Sequence, residues 1–408
     1  MVLDTFVYEQ HLMLVLGAAI ILGYIGGRLL MSRGIPGIIG YMLVGVLLGE
    51  AAIGFIGEKD INFLTPFVDL ALAFIGFGIG VELRIDRLRY LIKDITYITG
   101  AHTLTVTALV GISIYLFTRD LAITLLLSTI AISTAPAATV KVLWEVNAEG
   151  ELTTMLYSLV AIYDIVTSLA FALAYPFVES ILIGYSEIML ILSSTLYHLL
   201  GSIVIGVISG FILDTILGLL HKESDMVWTL ALANILITGI AESFGFSTVL
   251  IAIIAGFIAV NLREPEEEEI FQIVKYGVEP ILILFFVTMG AHMRFEYFTL
   301  IGVTGILYLV MRSIGKYIGS YLGGYLSGSS QNIRRYVGLG LLSQGGLSLA
   351  LASKVITDFS SISQYATYVA SIVFTVILAT TFIFEIIGPL LVKYIIIWAG
   401  ESWQNRFY

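Results

Sequence analysis

Cysteine is absent from this chain, and charged side chains occupy only 12% of its 408 positions. Without cysteine there is no disulfide framework, no thiolate metal site and no cysteine nucleophile. Ordinary soluble domains carry about 25% charged residues, so this charge content, set against 58% hydrophobic side chains, excludes a sizeable soluble domain. The net charge of −10 and the lack of any basic run exclude nucleic acid as a partner. No nucleophile and base combination, metal-ligand cluster or phosphate loop stands out, so neither an enzyme nor a bound cofactor is expected. Gly76-Phe77-Gly78 falls within an apolar run and is weak evidence for a nucleotide loop. The first residues carry Asp4 and Glu9 and no basic segment, which argues against a cleavable signal peptide.

What remains is a lipid-embedded, all-α chain. Apolar runs separated by charges, Pro or Gly clusters predict thirteen spans: 10–31, 36–55, 64–82, 92–117, 121–143, 152–177, 190–217, 226–242, 246–262, 277–293, 297–322, 334–356 and 366–396. Of the twenty Lys and Arg residues, Lys59, Arg119, Arg294 and Lys354 fall on one set of loops, and Arg312 and Lys316 fall inside a span. The rest lie on the other set. The positive-inside rule then puts the N-terminus outside and the C-terminus in the cytoplasm of a multi-pass plasma-membrane protein. The acidic run Glu264–Glu269 reads as a solvated cytoplasmic connector.

Laying the second half on the first at an offset of 210 residues brings Gly80–Asp86 onto Gly290–Glu296 and Ile132–Ala135 onto Leu342–Gly345. The offset covers an odd number of spans, so the two halves have opposite topology, the construction of many secondary transporters. Both the fifth and twelfth spans are poor helix interiors: one contains Ser133-Thr134-Ala135-Pro136, the other Ser343-Gln344-Gly345-Gly346. Proline removes a backbone donor and clashes with the preceding turn, and each glycine costs about 1 kcal/mol against alanine. Matched breaks at membrane depth point to a substrate site, because half-helix ends offer carbonyls to a cation.

Asp164 lies halfway along the sixth span, where a carboxylate costs roughly 2.5–3.5 kcal/mol and is functional by default. Arg312 is as deep in the eleventh span and needs a partner, either Asp164 or a carbonyl at a break. Lys316, one turn later, is expected to snorkel to the cytoplasmic face. His102 and His198 read as residues hydrogen-bonded within the bundle, Asp69, Glu82, Asp214, Glu242 and Glu279 as mouth or packing residues, and Glu385 stays undecided. The series Gly315, Gly319, Gly323 predicts close helix packing within the chain rather than a dimer seam.

Three segments carry a resemblance. Gly34-Ile35-Pro36 through Leu48-Gly49, Phe285-Phe286-Val287-Thr288-Met289-Gly290 and Arg312-Ser313-Ile314-Gly315-Lys316 are similar to signature segments of the monovalent cation/proton antiporter superfamily, in particular its bacterial potassium-efflux and sodium/proton exchanger branch. The resemblance runs through essentially the whole chain. It implies inverted six-helix repeats with two crossing broken helices beside an aspartate, in a core that moves against a dimerisation panel, and hence a homodimer in lipid. The panel would comprise 1–90 and 225–296, the core 91–180 and 297–408, and the connector 181–224. Asp164 matches the family's ion- and proton-binding aspartate, Ser133 and Thr134 the first broken helix with its Pro136, Ser343, Gln344 and Gly345 the second, and Arg312 the core basic residue. Two positions depart from the pattern. Tyr163 stands where Asp, Asn or Gln usually precedes the aspartate, and by that position joins Asp164, Ser133 and Thr134 as an expected cation- and proton-binding residue; Gln344 stands where the second broken helix often carries arginine.

The function implied is exchange of a monovalent cation for a proton by alternating access, with both ions competing for Asp164. Sodium comes first, with potassium and lithium as alternatives because carboxylate and carbonyl oxygens suit all three. A sodium-coupled organic-anion symporter of the same architecture is a second expectation, and a non-transporting sensor or channel, which Tyr163 keeps open, is a third. Potassium-efflux relatives often have a nucleotide-binding C-terminal domain. Here any such regulator is expected to be a separate cytoplasmic polypeptide.

Overall fold

The computed structural model describes residues 2–183, 188–220, 222–263, 278–293, 301–359 and 362–402. The acidic run Glu264–Glu269, and Arg294 and Glu296 of the repeat, lie outside them. The described residues form helices α1 (Val2–Met31), α2 (Gly37–Leu48), α3 (Glu58–Glu82), α4 (Ile85–Thr118), α5 (Leu121–Ile130), α6 (Pro136–Glu145), α7 (Glu151–Ile183), α8 (Ile188–Leu219), α9 (Glu223–Phe244) and α10 (Thr248–Asn261). They continue with α11 (Glu279–Ala291), α12 (Gly302–Ser327), α13 (Gln331–Gly340), α14 (Gly346–Phe359) and α15 (Gln364–Ala399). Among the described residues there is no strand, and the single β-bridge joins Gly49 to Ile56.

Local chemistry sets many of the ends. Asp120 accepts from the Ile123 N–H at 3.0 Å to start α5, Ser247 from Leu250 at 3.3 Å to start α10, and Ser363 from Ala366 at 3.1 Å to start α15. Gly245, Gly328 and Gly400, at φ of 69°, 87° and 75°, close α9, α12 and α15 in the left-handed conformation that glycine adopts without strain. The second span proves shorter than 36–55, since α2 stops at Leu48 before a turn through Gly49 and the left-handed Gly54. The eleventh span is displaced from 297–322, because Gly328 supplies its stop only after Ser327.

Among the described residues seven helices, α1, α3, α4, α7, α8, α9 and α15, are long and apolar enough to cross a membrane. The fifth and twelfth spans are each two shorter helices. Their register repeats closely: α5 and α6 begin at Leu121 and Pro136, and α13 and α14 begin 210 residues later at Gln331 and Gly346.

The chain forms two compact units, Met1–Val81 with Ile205–Phe295, and Glu82–Val204 with Glu296–Tyr408. In the first, glycines bring backbones into direct contact. A Cβ on Gly45 would lie 2.9 Å from the Gly290 Cα, and one on Gly49 would lie 2.7 Å from the Ala291 carbonyl, so α2 and α11 pack main chain to main chain. The two signature segments, Gly34–Gly49 and Phe285–Gly290, are therefore the two sides of one helix contact. Tyr41 adds a hydrogen bond to Glu279 at 2.6 Å. In the second unit α12 lies along α4, where Gly315, Gly319 and Gly323 meet Val106, His102 and Ile98. This is the intrachain packing expected of that series.

Candidate functional site

The site lies in the second unit, where two helices stop and restart. Pro136 cannot donate a backbone hydrogen bond, and its ring drives the preceding residue out of the helical region. Ala135 is accordingly extended, at φ −111° and ψ 97°. The Gly345-Gly346 pair has the same effect between α13 and α14 by low helix propensity. Each break frees backbone carbonyls at the C-terminal end of its first half-helix, where the helix carries partial negative charge.

Two cations take up those carbonyls. The Arg312 guanidinium donates through Nε to the Ala131 carbonyl at 3.2 Å, through Nη1 to Leu342 at 2.8 Å, and through Nη2 to Ser133 at 2.8 Å and Ser343 at 3.3 Å. Its Cζ lies 4.3 Å from the centre of the Phe384 ring, above the ring. Lys316 Nζ donates to Ile132 at 3.2 Å, Ser133 at 2.7 Å and Leu341 at 2.9 Å. Both side chains are fully buried. The partner of Arg312, open in the sequence, is thus the carbonyls of both breaks.

The expectation for Lys316 is overturned, since its amine turns into the crossing instead of snorkelling. The physical reason is its spacing: one turn after Arg312 it occupies the same face of α12, and the glycine-lined contact with α4 holds that helix inside the unit. The equal i,i+4 spacing of two buried cations was the signal that could have found it.

The remaining crossing residues are enclosed. Ser133 Oγ donates to the Ile130 carbonyl at 2.8 Å and contacts the Ser348 hydroxyl of α14, joining the two breaks directly. Gln344 Nε2 donates to the Tyr308 hydroxyl at 3.2 Å. The hydroxyls of Thr134 and Ser343 are buried with no hydrogen-bond partner.

Asp164 sits on α7, which packs against α4 and α5. Its Oδ1 is enclosed with no hydrogen-bond partner, and Ser168 Oγ donates to its backbone carbonyl at 2.8 Å. Neither Arg312 nor Lys316 is bonded to this carboxylate; both are committed to carbonyls. The neighbouring Tyr163 is fully buried, its ring 4.4 Å from the His102 ring and 6.0 Å from Lys316 Nζ. His102 in turn bonds through Nδ1 to Ser320 Oγ at 3.1 Å. The ring of the residue beside Asp164 thus packs on His102 and lies near the amine that spans both breaks. Tyr163, one of the two positions that depart from the family pattern, is packed as a ring and is not hydrogen-bonded to the aspartate.

Glu385, left undecided by sequence, belongs to this neighbourhood. It is buried, and its Oε1 abuts Gly345. Two acidic residues of the first unit have their own partners: Asp214 pairs with Arg263 at 3.1 Å, and Glu279 accepts from Tyr41.

A family model described as the transmembrane sodium/hydrogen exchanger matches residues 16–393. A Na(+)/H(+) antiporter of Enterococcus hirae is 24% identical over 388 residues, covering 91% of this chain and 94% of its own. Two structures of the sodium proton antiporter MjNhaP1 from Methanocaldococcus jannaschii share the fold. One, at pH 8, has a TM-score of 0.70 at 18% identity and covers 98% of each chain. The other, from electron microscopy, has a TM-score of 0.75 at 21% identity and covers 95% of each.

Proposed function

This chain belongs to the family of transmembrane sodium/hydrogen exchangers, and from that membership we propose that it exchanges a monovalent cation, sodium first, for a proton, with the two ions competing for Asp164. The alternating-access cycle follows from charge. A bare carboxylate deep in lipid is too costly to carry from one face to the other. Protonated or paired with a cation, the site is charge-compensated and can cross. Only occupied forms move, so cation and proton flow in opposite directions are coupled. With one such carboxylate on α7, the simplest exchange is one for one and electrically silent.

The observation that supports this reading is the engagement of both cations of the crossing. Arg312 and Lys316 are spent on carbonyls of the two breaks, which leaves Asp164 Oδ1 without a partner inside the same unit. Thr134 and Ser343, with unpartnered buried hydroxyls, supply neutral oxygens of the type a desolvated alkali ion requires.

The rest of the assignment follows the family resemblance and the Lys/Arg distribution: 1–90 and 225–296 as the panel, 91–180 and 297–408 as the core, 181–224 as connector, and a homodimer in the plasma membrane with its N-terminus outside.

The test uses proteoliposomes with an internal pH dye, pulsed in turn with sodium, potassium and lithium. Wild-type protein is expected to move protons against sodium. Asp164→Asn is expected to reduce the flux to the protein-free background while eluting as folded protein. Full activity in that variant would eliminate the model, and a response to potassium alone would reassign the cation.

A further inference from the structure

The C-terminal ends of the half-helices are matched by Arg312 and Lys316; the opposite ends need an anion. α6 and α14 begin at Pro136 and Gly346, directly after Ala135 and Gly345. A helix N-terminus carries partial positive charge and is normally capped by Ser, Thr, Asp or Asn. Ala135 makes no side-chain cap, and Gly345 has no side chain. Two helix N-termini thus lie inside one unit without a cap from their own segments.

Glu385 of α15 reaches the place where they meet. A Cβ built on Gly345 would lie 2.6 Å from Glu385 Oε1 and 3.0 Å from the Ala135 Cβ, so the carboxylate and both N-cap residues converge. Glu385 is 5% exposed, and its Oε2 is enclosed with no hydrogen-bond partner. The residue before it, Phe384, supports the Arg312 guanidinium. Successive residues of α15 therefore serve the two poles of the crossing, an aromatic face at the cationic pole and a carboxylate at the other. On the same side of α15, Gly388 admits the Ser343 side chain of the second break.

We propose that Glu385 is the shared anion of the two half-helix N-termini, a positioning residue that opposes their partial positive charge by proximity and sets the potential in which the exchanged cation is held. This rests on the crossing being the exchange site. Without the charge, the partial positive charge of two helix N-termini would be opposed by Asp164 alone, and a cation would bind more weakly.

The experiment is a relocation of charge, read as the apparent KM for sodium in proteoliposomes. Glu385→Gln, which keeps the shape and removes the charge, is expected to raise KM about tenfold, the scale of one unit charge acting across a partly polar interior, with maximal rate and folded yield near wild type. Adding Ala135→Asp to Glu385→Gln restores a carboxylate from the N-cap itself and is expected to bring KM back to within about twofold of wild type. An unchanged KM in Glu385→Gln overturns the proposal, as does a raised KM that Ala135→Asp leaves raised. Should Glu385→Gln not fold, the double variant decides alone. Folded protein with wild-type KM supports the proposal, and a double variant that stays unfolded or keeps a raised KM overturns it. Asp164→Asn, run in parallel, separates the two readings: its full activity removes the exchange role of Asp164, while the Glu385 series remains interpretable by itself.

Discussion

The two units bury different things. The first is held by glycine-mediated contact of main chains, α2 against α11 through Gly45 and Gly290 and α3 against α10 through Gly76 and the Val249 carbonyl. The second encloses Arg312, Lys316, Gln344, Glu385 and two interrupted helices. Close packing needs only shape, and glycine provides it by removing the side chain. Interrupted helices inside lipid need every freed carbonyl answered, at several kcal/mol for each failure. A unit built of breaks therefore must import charge, and that charge makes it suited to ion chemistry. A unit built of glycine contacts has no such requirement.

The largest expected effect is in the second unit. Arg312→Ala would leave the carbonyls of Ala131, Leu342 and Ser343 without that donor, with Ser133 reliant on Lys316 alone. Loss of about 3–5 kcal/mol is expected, seen as a drop in thermal unfolding temperature in detergent together with exchange at background. Retained activity in a well-folded variant would break the contrast, since the crossing would then hold without its guanidinium.

Gly290→Ala in the first unit comes next. Its new Cβ would overlap the Met42 carbonyl, forcing α2 and α11 apart, at a cost of about 1–3 kcal/mol. The unfolding temperature should fall, but the folded fraction should keep the wild-type KM for sodium. A changed KM would show that the first unit tunes the ion site and is more than scaffold.

The smallest effect is expected at Glu401. Its carboxylate caps α7, accepting from the N–H of Leu152 at 2.8 Å, the N–H of Thr153 at 2.7 Å and the Thr153 hydroxyl at 2.7 Å. Glu401→Gln should lower stability by about 1 kcal/mol without changing exchange rate. An altered rate would mean that the segment after α15 controls the helix carrying Asp164.

Much of the crossing was legible in the sequence. Pro136 and the Gly345-Gly346 pair mark their breaks because helix propensity is a local property, and both breaks appear at the expected residues, in matching register. Asp164 and Arg312 stand out because charge in an apolar run is conspicuous. Lys316 was misread because depth along a span and direction around a helix are different quantities: a lysine near the end of a span can reach either interface or interior. Glu385 resisted assignment for a related reason. Its significance lies in touching Gly345, 40 residues earlier in the chain, and no spacing rule connects them.

Composition alone established a lipid-embedded helical chain, and the repeat and its breaks established where helices must stop, because backbone hydrogen bonding in lipid is satisfied locally or conspicuously fails. Only the tertiary structure decided which groups answer the failure. Arg312 and Lys316 bind carbonyls, Tyr163 packs on His102, and Glu385 meets two uncapped helix ends, since those outcomes depend on helix rotation and on contacts between residues far apart in sequence.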